Sequence, residues 1–111
     1  YTVVDALRDD PVLEDSGRMR AYPLFAYDPL RSVETFYIEF DPGCRHVSAP
    51  HQDGVEEHLF VLEGRLRLIL RGEEIVVKEK QSIRFRADSA HEYGNPFDTL
   101  CTVYNTIFYP G

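Results

Sequence analysis

Histidine and carboxylate side chains recur in two segments of the sequence, and these residue types can bind a metal ion. In residues 51–64, His51 precedes a pair of adjacent glutamates and His58, which stand at the head of an apolar run. Further along the chain, His91 is followed by Asn95 in a His-x-x-x-Asn pattern. Neutral imidazole nitrogen and anionic carboxylate oxygen together replace the hydration shell of a borderline divalent metal. The two segments therefore predict a metal or small-molecule pocket, provided that the fold brings them together.

The composition indicates one globular domain. The chain has 111 residues, of which 43% are hydrophobic and 28% are charged, and this length suffices to bury most of the unfolded surface around a single core. No apolar run approaches the length that crosses a bilayer, which argues against a membrane protein. The net charge of −7 would repel a phosphate backbone, so this segment is not expected to contact nucleic acid directly.

The two cysteines indicate the redox state and the cellular location to expect. Cys44 and Cys101 lie far apart, and no charged and then apolar signal peptide precedes them. Reduced thiols and a cytoplasmic location are the expectation.

The chain begins at Tyr1 rather than Met, and we therefore expect that its original start has been removed and that it is a piece of a longer protein.

Period-two alternation of apolar and polar residues predicts a mostly β fold. In residues 33–40 apolar side chains occupy every second position, and Asp41-Pro42-Gly43 then closes the strand with a turn. Residues 65–79 are predicted to form a hairpin, and short strands are predicted at 82–86 and 99–109. About six to eight short strands at such spacing favour a sandwich or barrel over an open sheet.

The N-terminal third is less regular than the rest. Residues 1–32 show no sustained alternation, with a hint of a helical turn or edge strand only over residues 3–8. We therefore expect a single domain over residues 1–111, with an irregular N-terminal arm at 1–32 and a barrel at 33–110.

The motifs around the histidines resemble those of the cupin superfamily, and most closely the C-terminal cupin sensor domain of XRE-type helix-turn-helix transcriptional regulators. Positions that match the first cupin motif are Gly43, His51, Glu57 and Gly64, and those that match the second are residues 82–85 and 87–90, His91 and Asn95. The resemblance covers residues 33–110. It implies an all-β, cupin-type antiparallel β-barrel, also called a jelly roll, with a pocket inside the barrel.

The chain departs from the cupin pattern at two places. Where the family has two histidines one residue apart, this chain has Pro50, His51 and Gln52, so one imidazole is missing or replaced. Gln52 becomes a candidate for a weak oxygen ligand. The Gly-Asp turn of the second motif is absent, and Lys80-Gln81 stands in its place.

The inward-facing carboxylate is ambiguous between Glu56 and Glu57, because the family's His-to-Glu spacing favours the first and its Glu-to-Gly spacing favours the second. Strand parity favours Glu57. It shares one strand face with Leu59 and Val61, which belong in a barrel interior, whereas His58 faces the other way.

The resemblance implies that His51, Glu57 and His91 bind a divalent metal, with zinc or nickel expected before iron. The further candidates for contact with a small ligand are Gln52, His58, Tyr93, Asn95, Tyr104 and Tyr37. Tyrosine and amide groups can orient a polar ligand in an apolar cavity, although each can equally be a packed or exposed side chain. His46 is expected to be an exposed loop imidazole.

Two classes of function follow from the resemblance. The first is a binding module, the effector-sensing domain of a helix-turn-helix regulator, whose barrel binds a small polar metabolite such as an amino acid or a sulfur or nitrogen metabolite. The second is a stand-alone metal-dependent cupin enzyme, acting as a dioxygenase, isomerase or lyase. We favour the sensor.

A symmetric homodimer is also expected, because small cupins that this chain resembles commonly form dimers. Leu24, Phe25 and Tyr27 form an apolar stretch in the N-terminal third that a partner subunit could cover.

Overall fold

The computed structural model describes residues 1–110 and confirms the all-β prediction. The strands are β1 Val12–Glu14, β2 Met19–Asp28, β3 Val33–Phe40, β4 Arg45–Ser48, β5 Glu56–Glu63, β6 Arg65–Leu70, β7 Glu73–Lys78, β8 Ser82–Arg86, β9 His91–Gly94 and β10 Cys101–Phe108. A single 3-10 turn, Asp15–Gly17, interrupts the described chain between β1 and β2. No helix among these residues is long and apolar enough to cross a membrane.

The strands form two antiparallel sheets that enclose one core. The larger sheet has the order β1-β2-β3-β10-β5-β8, and the smaller has the order β4-β9-β6-β7. Strand β10 therefore inserts between β3 and β5, as expected where two sheets are wound from one antiparallel ribbon. The largest fully buried apolar side chains come from both sheets and from the residue just before β5: Phe40, Leu59, Leu66, Leu68, Val55, Val61 and Val103.

Alternation along β5 and β10 decides which side chains reach the interior. On β5, Glu57 and Leu59 are buried while Phe60 is on the outer surface. On β10, which pairs with β5, Asn105 and Ile107 are likewise buried. Two polar side chains, Glu57 and Asn105, thus enter an otherwise apolar interior from neighbouring strands.

The N-terminal arm differs from the prediction. Residues 19–28 form the ten-residue strand β2, which pairs with β3, and β1 pairs in turn with β2. The register of β2 against β3 shifts on both sides of Phe25, next to Pro23, and these irregularities break the period-two pattern on which the prediction relied. Residues 1–11 contain no strand or helix.

Gly64 makes the sharp connection between β5 and β6. Its φ of +75° lies in the left-handed region, and a Cβ there would lie 2.4 Å from the carbonyl oxygen of Leu100. Only glycine avoids both the conformational cost and the clash. The turn matters for the site because it fixes the end of the strand that carries Glu57.

Both cysteines are buried free thiols. Burial raises the pKa of Cys44 to about 11 and that of Cys101 to about 12. The thiols are therefore protonated at neutral pH and act as small apolar core residues rather than as nucleophiles or metal ligands.

Candidate functional site

A cavity of about 320 Å³ opens between the two sheets. Its wall combines apolar side chains from β1, β2, β3 and β10 with polar side chains from β1, β3, β4, β5, β9 and β10, and it includes His51 and Tyr109 from outside the strands. The lining residues are Val12, Glu14, Met19, Ala21, Glu34, Phe36, Ile38, His46, Ser48, His51, Glu57, Tyr93, Asn105, Ile107 and Tyr109. A pocket that is largely apolar with a few convergent polar groups is the usual form of a small-molecule site.

Three of the predicted residues meet at one end of this cavity: His51 and Glu57 line it, and His91 lies against Glu57. Glu57 projects from β5, His91 from the start of β9, and His51 from the loop between β4 and β5. The Nε2 atoms of His51 and His91 lie 3.4 Å and 3.5 Å from Oε2 of Glu57. One ligand atom from each of the three residues fits within a span of 4.8 Å. The two imidazole rings are nearly parallel, with their centroids 5.7 Å apart.

Backbone pairing explains why these residues converge. Glu57 lies opposite Phe85 of β8 on one side and Ile107 of β10 on the other. The loop that carries His51 is held in place because the backbone N–H of His51 donates to the carbonyl oxygen of Ala87, directly after β8, over 2.9 Å. Sheet pairing therefore positions Glu57 and His91, and a backbone hydrogen bond outside the sheets positions His51.

Two further side chains orient the Glu57 carboxylate. The hydroxyl of Tyr93 donates to Oε1 of Glu57 over 2.7 Å, and Nδ2 of Asn105 donates to the same oxygen over 3.2 Å. Both donors act on Oε1, which leaves Oε2 directed at the histidines. Hydrogen-bonded carboxylates of this kind are typical of metal sites, in which the outer partners set the direction of the ligand.

The two ring nitrogens of His91 differ, since Nδ1 has a hydrogen-bond partner and Nε2 has none among the described residues. Its Nδ1 lies 2.8 Å from the carbonyl oxygen of Ser89, and because a carbonyl only accepts, Nδ1 carries a hydrogen. In the neutral ring Nε2 then holds the lone pair, and this buried atom has no hydrogen-bond partner within residues 1–110. Its 3.5 Å separation from Glu57 is too long for a good hydrogen bond. An unpaired lone pair beside a carboxylate and a second imidazole fits a metal ion.

Electrostatics keep the carboxylate ionised. Burial acts to raise the pKa of Glu57, but the facing groups of His51, His91 and Tyr93 outweigh it and lower the pKa to about 2. For His91, burial acts to lower the pKa, yet the facing Glu57 carboxylate and the Ser89 carbonyl raise it overall. Burial and the neighbouring Glu57 raise the pKa of Tyr93, so that its hydroxyl remains a donor. The site thus presents one anionic oxygen and two imidazoles.

The other predicted ligand contacts divide between the interior and the outer surface. Tyr93 lines the cavity. Asn95 is buried but is used elsewhere, since its amide donates to the carbonyl oxygens of Phe40 and Thr99 over 2.9 Å and 2.8 Å. It therefore holds the turn after β9 in place and does not line the cavity.

Four candidates lie outside the cavity altogether. Gln52 is exposed in its loop, and His58 faces Glu56 on the outer surface of the larger sheet. Tyr104 and Tyr37 are opposite each other on β10 and β3 on that same outer surface. The prediction that these side chains line the pocket is wrong. Strand parity turns His58, Tyr37 and Tyr104 outward, whereas Gln52 lies in an exposed loop.

Sequence reasoning also missed residues that line the cavity. Asn105 is one of the β10 side chains that face the interior. A polar residue at an inward position of a strand is the sequence feature that could have identified it. His46 was expected to be an exposed loop residue, but it lies in β4, lines the cavity, and places Nδ1 2.8 Å from Oδ2 of Asp15. Glu34 and Tyr109 gave no signal in the sequence, because their contact joins β3 to the end of the chain.

Comparison with known proteins identifies the family. The sequence model of the family described as "Cupin domain" matches residues 36–107. The chain belongs to the cupin family. This cupin is 37% identical over 87 residues to the HTH-type transcriptional regulator SutR of Escherichia coli (strain K12). The matched region covers 78% of this chain and 49% of SutR. The cupin therefore spans about half the length of that curated relative.

Solved structures show the same relationship. The cupin domain of an XRE family transcriptional regulator from Enterobacter cloacae is similar to this cupin, with a TM-score of 0.82, 33% identity, and coverage of 85% of this chain and 99% of that one. An HTH_3 family transcriptional regulator from Vibrio cholerae is similar with a TM-score of 0.85, 26% identity, and coverage of 92% of this chain and 57% of that one. The cupin is thus related to domains of helix-turn-helix transcriptional regulators.

Proposed function

We propose that this cupin is the effector-binding domain of a helix-turn-helix transcriptional regulator, and that its cavity holds a small molecule beside a divalent metal ion. The observation that most supports metal binding is the buried Nε2 of His91, which has no hydrogen-bond partner and faces the ionised Glu57 and the imidazole of His51. The relationship to regulators across most of the chain supports the sensor role.

The donor set supports a borderline metal such as zinc or nickel, with iron second. Two imidazole nitrogens and one carboxylate oxygen make three protein ligands, and a site of this type retains a position for water or another ligand. When bound, the metal supplies a positive charge and an acceptor for an electron-pair donor. The cupin itself supplies orientation, because Tyr93 and Asn105 hold Oε1 of Glu57.

A sensor must also transmit the state of its cavity. Val12 and Glu14 of β1 line the cavity, so one wall belongs to the N-terminal segment. In the domain order that the resemblance implies, this segment leads to the DNA-binding domain. An effector alters DNA affinity only if it binds two states of the protein differently, and such couplings are typically about 1–3 kcal/mol.

Metal binding is tested by calorimetric titration of the metal-free protein with zinc and nickel chloride. The wild type is expected to bind one ion, and His91→Ala to weaken binding by more than about 100-fold, beyond the usual effect of a residue that only orients a ligand. His58→Ala is the matched control, since this imidazole lies beside a glutamate on the outer surface. Equal zinc affinity of His91→Ala and wild type would refute the site.

The regulator role is tested with the full-length protein. We expect its reading frame to encode a helix-turn-helix domain upstream of Tyr1, and we expect the full-length protein to bind operator DNA with an affinity that His91→Ala alters. A reading frame that starts within a few codons of Tyr1 would overturn this role and leave the metal-dependent enzyme as the better interpretation.

The homodimer is also a proposal. Phe25 and Tyr27 of β2 are each 48% exposed, and the outer surface of the larger sheet exposes Phe60, Tyr104 and Phe108. Apolar side chains grouped in this way are typical of a surface that a partner covers. Light scattering at micromolar concentration is expected to give the mass of a dimer, and a monomer would contradict it.

A further inference from the structure

The charged residues that line the cavity are acidic. Glu14, Glu34 and Glu57 line it together with two histidines, and the lining contains no lysine or arginine. Resting on the proposed function, we propose that the effector carries an ammonium group that pairs with Glu34, an aliphatic middle, and an electron-pair donor at its opposite end, next to His51 and Glu57. The ligand class is a small amino compound rather than a dicarboxylate or a phosphate.

The register of the larger sheet sets the spacing of the two carboxylates. Glu34 of β3 and Glu57 of β5 both lie opposite Ile107 of β10, one from each side. They therefore occupy one row across three strands, and their Cα atoms are about 10 Å apart at a strand spacing of about 4.8 Å. Ile107 fills the position between them and gives that part of the wall an apolar surface.

The Glu34 carboxylate is oriented by a hydrogen bond and can form an ion pair with a cation. The hydroxyl of Tyr109 donates to its Oε1, and the Tyr109 ring packs edge-to-face on Tyr27 with centroids 5.2 Å apart. The carboxylate is only partly exposed, so a pair between it and an ammonium group is less screened by water than a pair on the open surface. An anionic group at this position would meet the Glu34 carboxylate, and the lining of the cavity offers it no lysine or arginine.

A separate observation at the inner end points to a ligand as well. The side chain of His91 is 1% exposed, and its Nε2 has no partner while it faces Oε2 of Glu57. At this end the metal ion of the proposed function would accept electron pairs from His51, Glu57 and His91 and would leave a position for the electron-pair donor of the effector, whereas the other end, at Glu34, calls for a cation. A molecule that spans the two ends must be polar at both, with different chemistry at each.

The test uses two probes that share a carboxylate and three methylene groups and differ in the other end, namely 4-aminobutanoate and glutarate. Both are titrated into the zinc-loaded protein by calorimetry. The wild type is expected to bind 4-aminobutanoate at least tenfold more tightly than glutarate. Glu34→Gln keeps the shape and the acceptor for Tyr109 but removes the charge, and it is expected to abolish this preference while zinc binding is unchanged.

Glu39→Gln is the matched control. Glu39 lies on the same strand and also accepts a hydrogen bond from a tyrosine, Tyr37, but it does not line the cavity. Its variant is expected to keep the wild-type preference. Equal affinity for the two probes, tighter binding of glutarate, or no binding of either at millimolar concentration would overturn the inference. If zinc still binds in that case, the metal site and the proposed function stand; loss of zinc binding would refute the site itself.

Discussion

Tyr93 donates its hydroxyl hydrogen to Oε1 of Glu57 over 2.7 Å, although the two residues belong to different sheets. The contact is buried and charge-assisted, and such hydrogen bonds contribute more than neutral ones. The polar site is therefore also a connection between the two sheets, and the direction of the carboxylate depends on how the sheets pack.

Tyr93→Phe is expected to destabilise the metal-free protein by about 1.5–3 kcal/mol, because one donor to a buried carboxylate is lost. Zinc affinity is expected to fall about tenfold or more, as when the partner of a ligand is removed. Tyr37→Phe is the control, since Tyr37 donates to Glu39 on the outer surface. Thermal unfolding and zinc titration measure both effects. An unaltered zinc affinity in Tyr93→Phe would contradict the orienting role.

Removal of metal is expected to lower the unfolding temperature. A ligand that binds only the folded state stabilises it by about 2.7 kcal/mol at a free concentration of 100 times its Kd. Zinc-loaded and chelator-treated protein are compared by calorimetry, with Glu57→Gln as a variant that loses the anionic ligand. That variant is expected to show little stabilisation by zinc. A stabilisation as large as that of the wild type would place the metal elsewhere.

Gly64→Ala is expected to destabilise the fold far more than Gly72→Ala. Both glycines have φ near +75° to +79°, so both substitutions carry a backbone cost of about 1 kcal/mol. A Cβ at Gly72 meets nothing within 4 Å, whereas one at Gly64 meets the Leu100 carbonyl. The excess for Gly64→Ala is expected to be about 2 kcal/mol or more in denaturant unfolding. Equal losses would show that the turn can move aside.

Arg20 is expected to make stability depend on pH in the acidic range. Its guanidinium binds Asp41 through two hydrogen bonds, and these lower the pKa of that carboxyl below its ordinary value of 3.8. A lowered pKa in the folded state contributes stability above the unfolded pKa, and this contribution is lost as the pH falls through the folded pKa.

Arg20→Gln is therefore expected to cost about 1 kcal/mol at neutral pH, a modest value because Asp41 is partly exposed to solvent. The difference from wild type should begin to shrink below about pH 4, where Asp41 of the unfolded state takes up a proton, and it should be lost as the pH falls through the lower pKa of Asp41 in the folded state. Urea unfolding at a series of pH values measures it. A difference that stays constant down to pH 2 would show that packing of the arginine stem, rather than its charge, is responsible.

The sequence predicted the parts of the site that strand parity controls. Glu57 was placed inward because Leu59 and Val61 share its face, and the structure agrees. The same rule should have excluded His58, which faces outward. Glu34 could not be recognised, since its partner Tyr109 comes from the last residues of the described chain and meets it only after β10 has paired with β3.

The N-terminal strand was missed for a different reason. Alternation identifies a strand when one face is buried throughout, but β2 has shifted register next to Pro23 and is largely exposed beyond it. Its pairing with β3, and not its own sequence pattern, makes it a strand. The cavity depends on β2 through Met19 and Ala21, so its full wall was beyond prediction as well.

The short strand β1 gives the cavity a wall that can open at low cost. It contributes Val12 and Glu14 to the lining, yet it is three residues long, wholly exposed, and paired with β2 alone. Short, exposed edge segments are the first to open in native proteins, at a small fraction of the global unfolding free energy. A molecule can therefore enter by displacing β1 while the barrel stays closed, and the amides of β1 would report its arrival through slower hydrogen exchange.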